Sequence, residues 1–168
     1  MSFFKEDLRL IRAFAFDMDG VLSPNELILH PGGDLLRSVN TRDGFAIKTA
    51  LDSGFRVAIL SGARSESIRK RFADLGTRDV YLGSVDKVKD LLDWTAKCKI
   101  DPAHVLYMGD DIPDLEVMKR VGMPTCPSDA TAEIQAVARY ISTYPGGHGC
   151  VRDVIEQALR ARGFWNFS

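Results

Sequence analysis

The stretch Arg12-Ala13-Phe14-Ala15-Phe16-Asp17-Met18-Asp19-Gly20-Val21-Leu22 decides how the rest of the chain is read. Its apolar run, Ala13 to Phe16, is continuous rather than alternating, the pattern of a short strand buried on both faces. The run stops at two carboxylates two residues apart. Asp17 therefore sits at the C-terminal end of a buried strand, the edge at which open α/β sheets bind ligands. Two neighbouring carboxylates repel each other unless something positive holds them. Gly20 lets the backbone turn sharply out of the sheet.

Outward from that stretch, strand and helix patterns alternate. Leu27 to Leu29 and Leu35 to Val39 flank Pro31-Gly32-Gly33-Asp34, which reads as a β-hairpin within residues 25–40. Thr41 is placed to cap a helix from Arg42 to Ser53, with Phe45, Ala46, Ala50 and Leu51 inward and Gly54 ending it. Arg56 to Leu60 is a second buried strand, running into Ser61-Gly62, and a helix bearing Ile68, Phe72 and Leu75 follows. Val80 to Leu82 is a third strand, and a helix with Val88, Leu91 and Leu92 comes next. His104 to Met108 is a fourth strand, ending in Gly109-Asp110-Asp111-Ile112-Pro113-Asp114. A helix through Leu115 and Met118, a strand at Met123 to Cys126, a short helix at Ala132 to Val137 and a strand at Tyr140-Ile141 complete the alternation. Val151, Val154, Ile155, Ala158 and Leu159 make the apolar stripe of a last helix, before a tail over 163–168.

Such alternation predicts a doubly wound, mainly parallel sheet with helices on both faces, in one domain over residues 1–168. It collects Asp17, Asp19, Ser61, Lys87, Asp110 and Asp111 at one sheet edge. There Asp17 can attack phosphorus and Asp19 can exchange protons. Asp110 and Asp111 suit a hard cation with oxygen ligands, best Mg²⁺. Ser61 and the N–H of Gly62 can donate to a phosphoryl oxygen, Lys87 adds a point charge, and Asp114 orients Lys87 or a bound water.

These stretches, Phe16 to Leu22, Leu60-Ser61-Gly62, Lys87 and Gly109 to Asp114, resemble the four motifs of the haloacid dehalogenase-like phosphohydrolases. The resemblance implies an aspartyl-phosphate mechanism with Mg²⁺ held by Asp17, Asp110 and the backbone carbonyl of Asp19. Only 42 positions separate Asp19 from Ser61, and 26 separate Ser61 from Lys87, so neither gap holds a cap domain. The capless group that it resembles is the 3-deoxy-D-manno-octulosonate 8-phosphate phosphatases, through Thr41 to Phe45, Leu75-Gly76 and Gly146 to Asp153. Relatives that hydrolyse nonulosonate 9-phosphates share the same motifs, so that substrate stays open, and a non-catalytic assembly domain is a remote alternative. The resemblance also implies a homotetramer, with sites completed by a neighbouring subunit. Relatives often carry Arg where this chain has Ala63. Arg64, Arg71 and Arg42 are the arginines expected to meet substrate.

Composition narrows the classes. The 168 residues carry a formal net charge of −1, which marks no nucleic-acid partner. No apolar run reaches a membrane span, and the charged N-terminus has no secretory pattern. Cys98, Cys126 and Cys150 lack metal-like spacing and read as reduced thiols in a cytoplasmic protein. The acid at Asp19 and the Gly-Asp-Asp segment argue against a receiver domain of the response-regulator type.

Overall fold

The computed structural model describes residues 4–167. Ser168, the end of the expected tail, lies outside the described residues. Elements in chain order are α1 (Phe4–Asp7), β1 (Ala13–Phe16), β2 (Ile28–Leu29), β3 (Leu35–Leu36), α2 (Thr41–Asp52), β4 (Arg56–Leu60), α3 (Glu66–Asp74), β5 (Asp79–Tyr81), α4 (Lys87–Cys98), β6 (Val105–Met108), α5 (Leu115–Met118), β7 (Met123–Cys126), α6 (Ala132–Val137), β8 (Tyr140–Ile141) and α7 (Cys150–Ala161).

The main sheet has the order β5-β4-β1-β6-β7-β8, and all its pairings are parallel. The quoted strand is therefore central. Phe16 lies beside Ile59 on β4 and Met108 on β6, so the chain leaves three adjacent strands at one edge. The continuous apolarity of β1 has a direct cause, since both its faces are covered. Phe14 and Phe16 pack into a core with α2, α3 and α7, while Ala13 and Ala15 face a second core holding Trp94 and Tyr107. The small alanines leave room there for the two large rings. β2 and β3 form a separate antiparallel hairpin. Among the described residues no cap domain interrupts the fold.

Local expectations are corrected at several points. The hairpin strands shrink to two residues each, because Leu27 and Val39 lack paired neighbours. Asn40, not Thr41, caps α2, its side chain accepting from the N–H groups of Arg42 and Asp43. Phe45 is 47% exposed instead of inward, and Ile47 takes the core position. Phe45 packs edge-on against Trp165 and tilted against Phe167, so the tail folds back onto α2 of its own chain. The third strand starts one residue early, at Asp79. On α4 Leu92 is exposed, and Trp94 takes the core position with Leu91. Pro102 to His104 form a 3-10 turn, so the fourth strand begins at Val105. All three cysteines are free.

Candidate active site

Three strand ends build the site. Asp17 follows β1, Ser61 follows β4, and Asp110 with Asp111 follows β6, while Lys87 opens α4. These residues line one cavity of about 490 Å³ with Asp19, Asn25, Gly62, Ala63, Ser84, Val85, Pro113 and Asp114.

Lys87 is the centre of the charge arrangement. Its Nζ lies 2.9 Å from Asp17 Oδ1 and 2.7 Å from Asp114 Oδ1. Burial works against its ammonium, but the charges of Asp17 and Asp114 hold it above its ordinary value. Oxygens of Asp17, Asp110 and Asp114 come within 4.8 Å of one another, so three carboxylates share one ammonium. Burial first, and then the charge of Asp114, push the Asp17 carboxyl well above the usual carboxylate range, against the pull of Lys87. The same two causes raise Asp110 to about 7.

A cation fits this set, because the protein alone leaves negative charge uncompensated there. Asp114 is the member least able to bind it. Its Oδ1 already accepts from Lys87 and, at 2.6 Å, from the Tyr107 hydroxyl, and its Oδ2 accepts the Asp110 N–H at 3.0 Å. Asp17 and Asp110 are the better ligands, with hard oxygen donors suited to Mg²⁺.

The backbone around Asp17 is held by close approaches. Gly20 has φ +89°, and a Cβ there would meet Asp110 Oδ2 at 1.9 Å. A Cβ on Gly146 would meet Gly20 O at 2.0 Å, and one on Gly147 would meet the backbone N of Pro24 at 2.3 Å. The Gly147 N–H donates to Val21 O at 2.8 Å. The glycine run before α7 thus braces the Asp17–Leu22 loop.

Other expected residues sit as follows. Ser61 is buried, and its Oγ accepts the Ala63 N–H at 3.1 Å. Asp111 caps the turn at Ile112, its Oδ1 accepting that N–H at 2.8 Å. The Asp19 carboxylate lies outside the three-carboxylate cluster and pairs with Arg37, Nε to Oδ1 at 2.5 Å and Nη2 to Oδ2 at 3.0 Å. Arg64 and Arg42 do not line the cavity that holds Asp17 and Lys87. Arg64 lies against Gly83, and Arg42 is exposed on the first turn of α2. Arg71 lines a neighbouring cavity of about 530 Å³ beneath the hairpin, with Arg37 and Met18. Sequence reasoning missed Arg37 and Tyr107. Tyr107 carries a readable signal, a hydroxyl in an otherwise apolar strand that requires a partner. Arg37 carries none.

A family model for haloacid dehalogenase-like hydrolases matches residues 75–152. The 3-deoxy-D-manno-octulosonate 8-phosphate phosphatase of Escherichia coli K12 is 37% identical over 153 residues, 91% of this chain and 81% of the relative. The chain belongs to the haloacid dehalogenase-like hydrolases, in their 3-deoxy-D-manno-octulosonate 8-phosphate phosphatase branch. The Yersinia pestis phosphatase of that name superposes with a TM-score of 0.94 at 31% identity, covering 97% of this chain and 88% of that one. The Moraxella catarrhalis phosphatase, solved with a magnesium ion, a phosphate ion and a KDO molecule, gives a TM-score of 0.92 at 31% identity, covering 96% and 93%.

Proposed function

We propose that this chain is a Mg²⁺-dependent phosphatase of an acidic sugar, 3-deoxy-D-manno-octulosonate 8-phosphate, acting through an aspartyl phosphate. The observation that carries the reading is Asp17 at the end of β1, 2.9 Å from Lys87 and clustered with Asp110 and Asp114. The similarity to phosphatases of that name supports the substrate.

The Asp17 carboxylate attacks phosphorus, and the bond from phosphorus to the sugar oxygen breaks as the acyl-phosphate bond forms. Asp19 gives that leaving oxygen its proton. Water then attacks phosphorus and gives a proton to Asp19, and the bond to Asp17 breaks, so both carboxyls return to their starting forms. Lys87 fixes Asp17 and neutralises charge on the transferring group, and Asp114 holds Lys87. Ser61 and Gly62 bind a phosphoryl oxygen. When bound by Asp17, Asp110 and the Asp19 carbonyl, Mg²⁺ neutralises the carboxylates and phosphoryl oxygens so that two anions can meet.

The hairpin exposes Leu27, Ile28, Leu29, Leu35, Leu36 and Val39, and Val85 is 96% exposed beside the site. This apolar surface supports a homotetramer whose neighbours close each cavity and receive Arg42 and Arg64. No described helix is long and apolar enough to cross a membrane. Together with the free thiols, this supports a cytoplasmic enzyme.

One observation favours a second reading, a nonulosonate 9-phosphate. Ala63 puts only a methyl group into the cavity wall, which leaves room for a longer sugar. Phosphate release from both sugars, with and without Mg²⁺, decides between them. Faster turnover of the eight-carbon substrate is expected, and no metal-dependent release from either sugar would overturn the phosphatase reading.

A further inference from the structure

Asp19, the residue expected to protonate the leaving oxygen, is held aside. Its carboxylate is not among the clustered oxygens of Asp17, Asp110 and Asp114. Both its oxygens accept from one guanidinium, Oδ1 from Arg37 Nε at 2.5 Å and Oδ2 from Arg37 Nη2 at 3.0 Å. Ser23 Oγ adds a weaker contact to Oδ1 at 3.3 Å. A two-pronged pair of this kind fixes the plane as well as the place of the carboxylate. The Arg37 side chain is only 8% exposed, so water does little to weaken the pair.

Arg37 also looks the other way. It borders the second cavity, of about 530 Å³, which shares the Asp17–Asp19 loop with the catalytic one through Met18. That second cavity is bordered by Arg71, by the hydroxyls of Ser65 and Ser67, and by a single carboxylate, the exposed Asp34. Among the described residues Arg71 makes no ion pair. Two guanidiniums and two hydroxyls beside an apolar wall of Ile68 and Phe72 suit an anionic polyol. Arg37 thus stands between two possible partners: the carboxylate of Asp19 and a carboxylate on a ligand in the second cavity.

We infer that Arg37 is a specificity-determining clamp, which holds Asp19 away from the leaving oxygen until the carboxylate of an acidic sugar phosphate takes over its guanidinium. This rests on the phosphatase reading above and extends it. The substrate's acid group, remote from phosphorus, would then raise kcat as well as affinity, because its binding frees a group that works in the transition state. Neutral sugar phosphates would bind the catalytic cavity and leave Asp19 clamped. The hairpin that carries Arg37 consists of two two-residue strands, so moving it breaks few bonds.

The test compares octulosonate 8-phosphate, its carboxyl methyl ester and mannose 6-phosphate, all with Mg²⁺. With the wild-type chain, esterification is expected to lower kcat about tenfold or more, not only to raise KM. In Arg37→Ala, the ratio of kcat/KM for the acid over mannose 6-phosphate is expected to fall about tenfold or more, with kcat for the neutral sugar rising and KM for the acid rising. Arg37→Lys, which keeps a charge but not the two-pronged pair, is expected to fall between. An ester that loses only affinity would overturn the clamp, and that arm needs no variant. An Arg37→Ala that slows acid and neutral sugars by the same factor would overturn it too, since a strut would behave so. Should the wild type release phosphate from none of the three, the phosphatase reading fails, and the clamp with it. Turnover that ignores the ester removes the clamp alone.

Discussion

Asp43 is a buried carboxylate whose charge works against the fold, and replacing it with Asn would isolate that cost. It lies on α2, 1% exposed, and its Oδ1 accepts the Arg152 N–H at 2.8 Å in the first turn of α7. Gly149 has no side chain to cap α7, so Asp43 does this from another helix. Its Oδ2 has no hydrogen-bond partner. Burial pushes its pKa from 3.8 to about 6, against the N–H groups of Arg152 and Gly149. The folded chain therefore keeps the proton to higher pH than the unfolded one. The associated stability is fully present below about pH 3.8 and is lost as pH rises through about 6. A gap of roughly two units amounts to about 3 kcal/mol by pH 7. Asp43→Asn keeps an acceptor for Arg152 and places an amide N–H where Oδ2 finds no partner, a penalty of about 1–3 kcal/mol that does not vary with pH. Urea unfolding of both chains in EDTA, from pH 4 to pH 7, cancels the titrations that they share. The stability of the variant relative to wild type is expected to rise by about 2–3 kcal/mol across that range. A difference that stays flat, or that falls, would refute the reasoning and mean that the end of α7 holds Asp43 ionised.

Two further substitutions probe the site itself. Asp17→Asn is expected to abolish formation of a phosphoryl-enzyme, checked by acid-quench labelling. Because it removes one of three crowded carboxylates, it should also raise the melting temperature of the metal-free chain at pH 8, and it should reduce the further rise that Mg²⁺ gives. Gly147→Ala places a Cβ 2.3 Å from the Pro24 backbone N at a φ of +74°, so a loss of at least about 3 kcal/mol in denaturant unfolding is expected, with turnover falling alongside.

The sheet was legible because its central strands, β1, β4 and β6, are short apolar runs closed by Asp17, Ser61 and Gly109, and such runs leave few alternatives. Convergence of Asp17, Ser61, Lys87 and Asp110 followed from parallel order alone, since every strand then ends on one edge. The misses have particular causes. Asn40 and Thr41 are both good caps in adjacent positions, and only the backbone at Asn40, φ −85° and ψ 125°, distinguishes them. Phe45 fits the inward stripe of α2 but lies over the tail, a contact made between residues 120 positions apart. Leu92 fits the inward stripe of α4, yet Trp94 takes the core position, which depends on the space left by Ala13 and Ala15. Arg37 was out of reach for another reason. Its pairing with Asp19 depends on how the hairpin folds back over the loop, and nothing in the 17 intervening positions encodes that angle.

The two sides of the site differ in how firmly they are held, and this has a measurable consequence. On one side, Val21 O accepts from both the Gly147 N–H and, at 3.3 Å, the Cys150 thiol, and Gly20 is wedged between Asp110 and Gly146. Cys150 belongs to the packed core, Gly146 and Gly147 are braced against the loop itself, and Asp110 follows the central strand β6, so the Asp17–Leu22 loop can open only when much of the domain opens. On the other side stands the hairpin, two strands of two residues each with Ile28 and Leu29 64% and 79% exposed. A two-stranded ribbon of this size is marginal by itself. Its stability must come from whatever covers its apolar face, and for a homotetramer that is another copy of the chain. Hydrogen exchange at two protein concentrations separates the cases. Protection of hairpin amides is expected to grow with concentration, while that of the Asp17–Leu22 loop stays constant. Hairpin amides as protected on dilution as those of β1 would mean that the ribbon is held within its own chain, and the neighbour would then lose its part in completing the site.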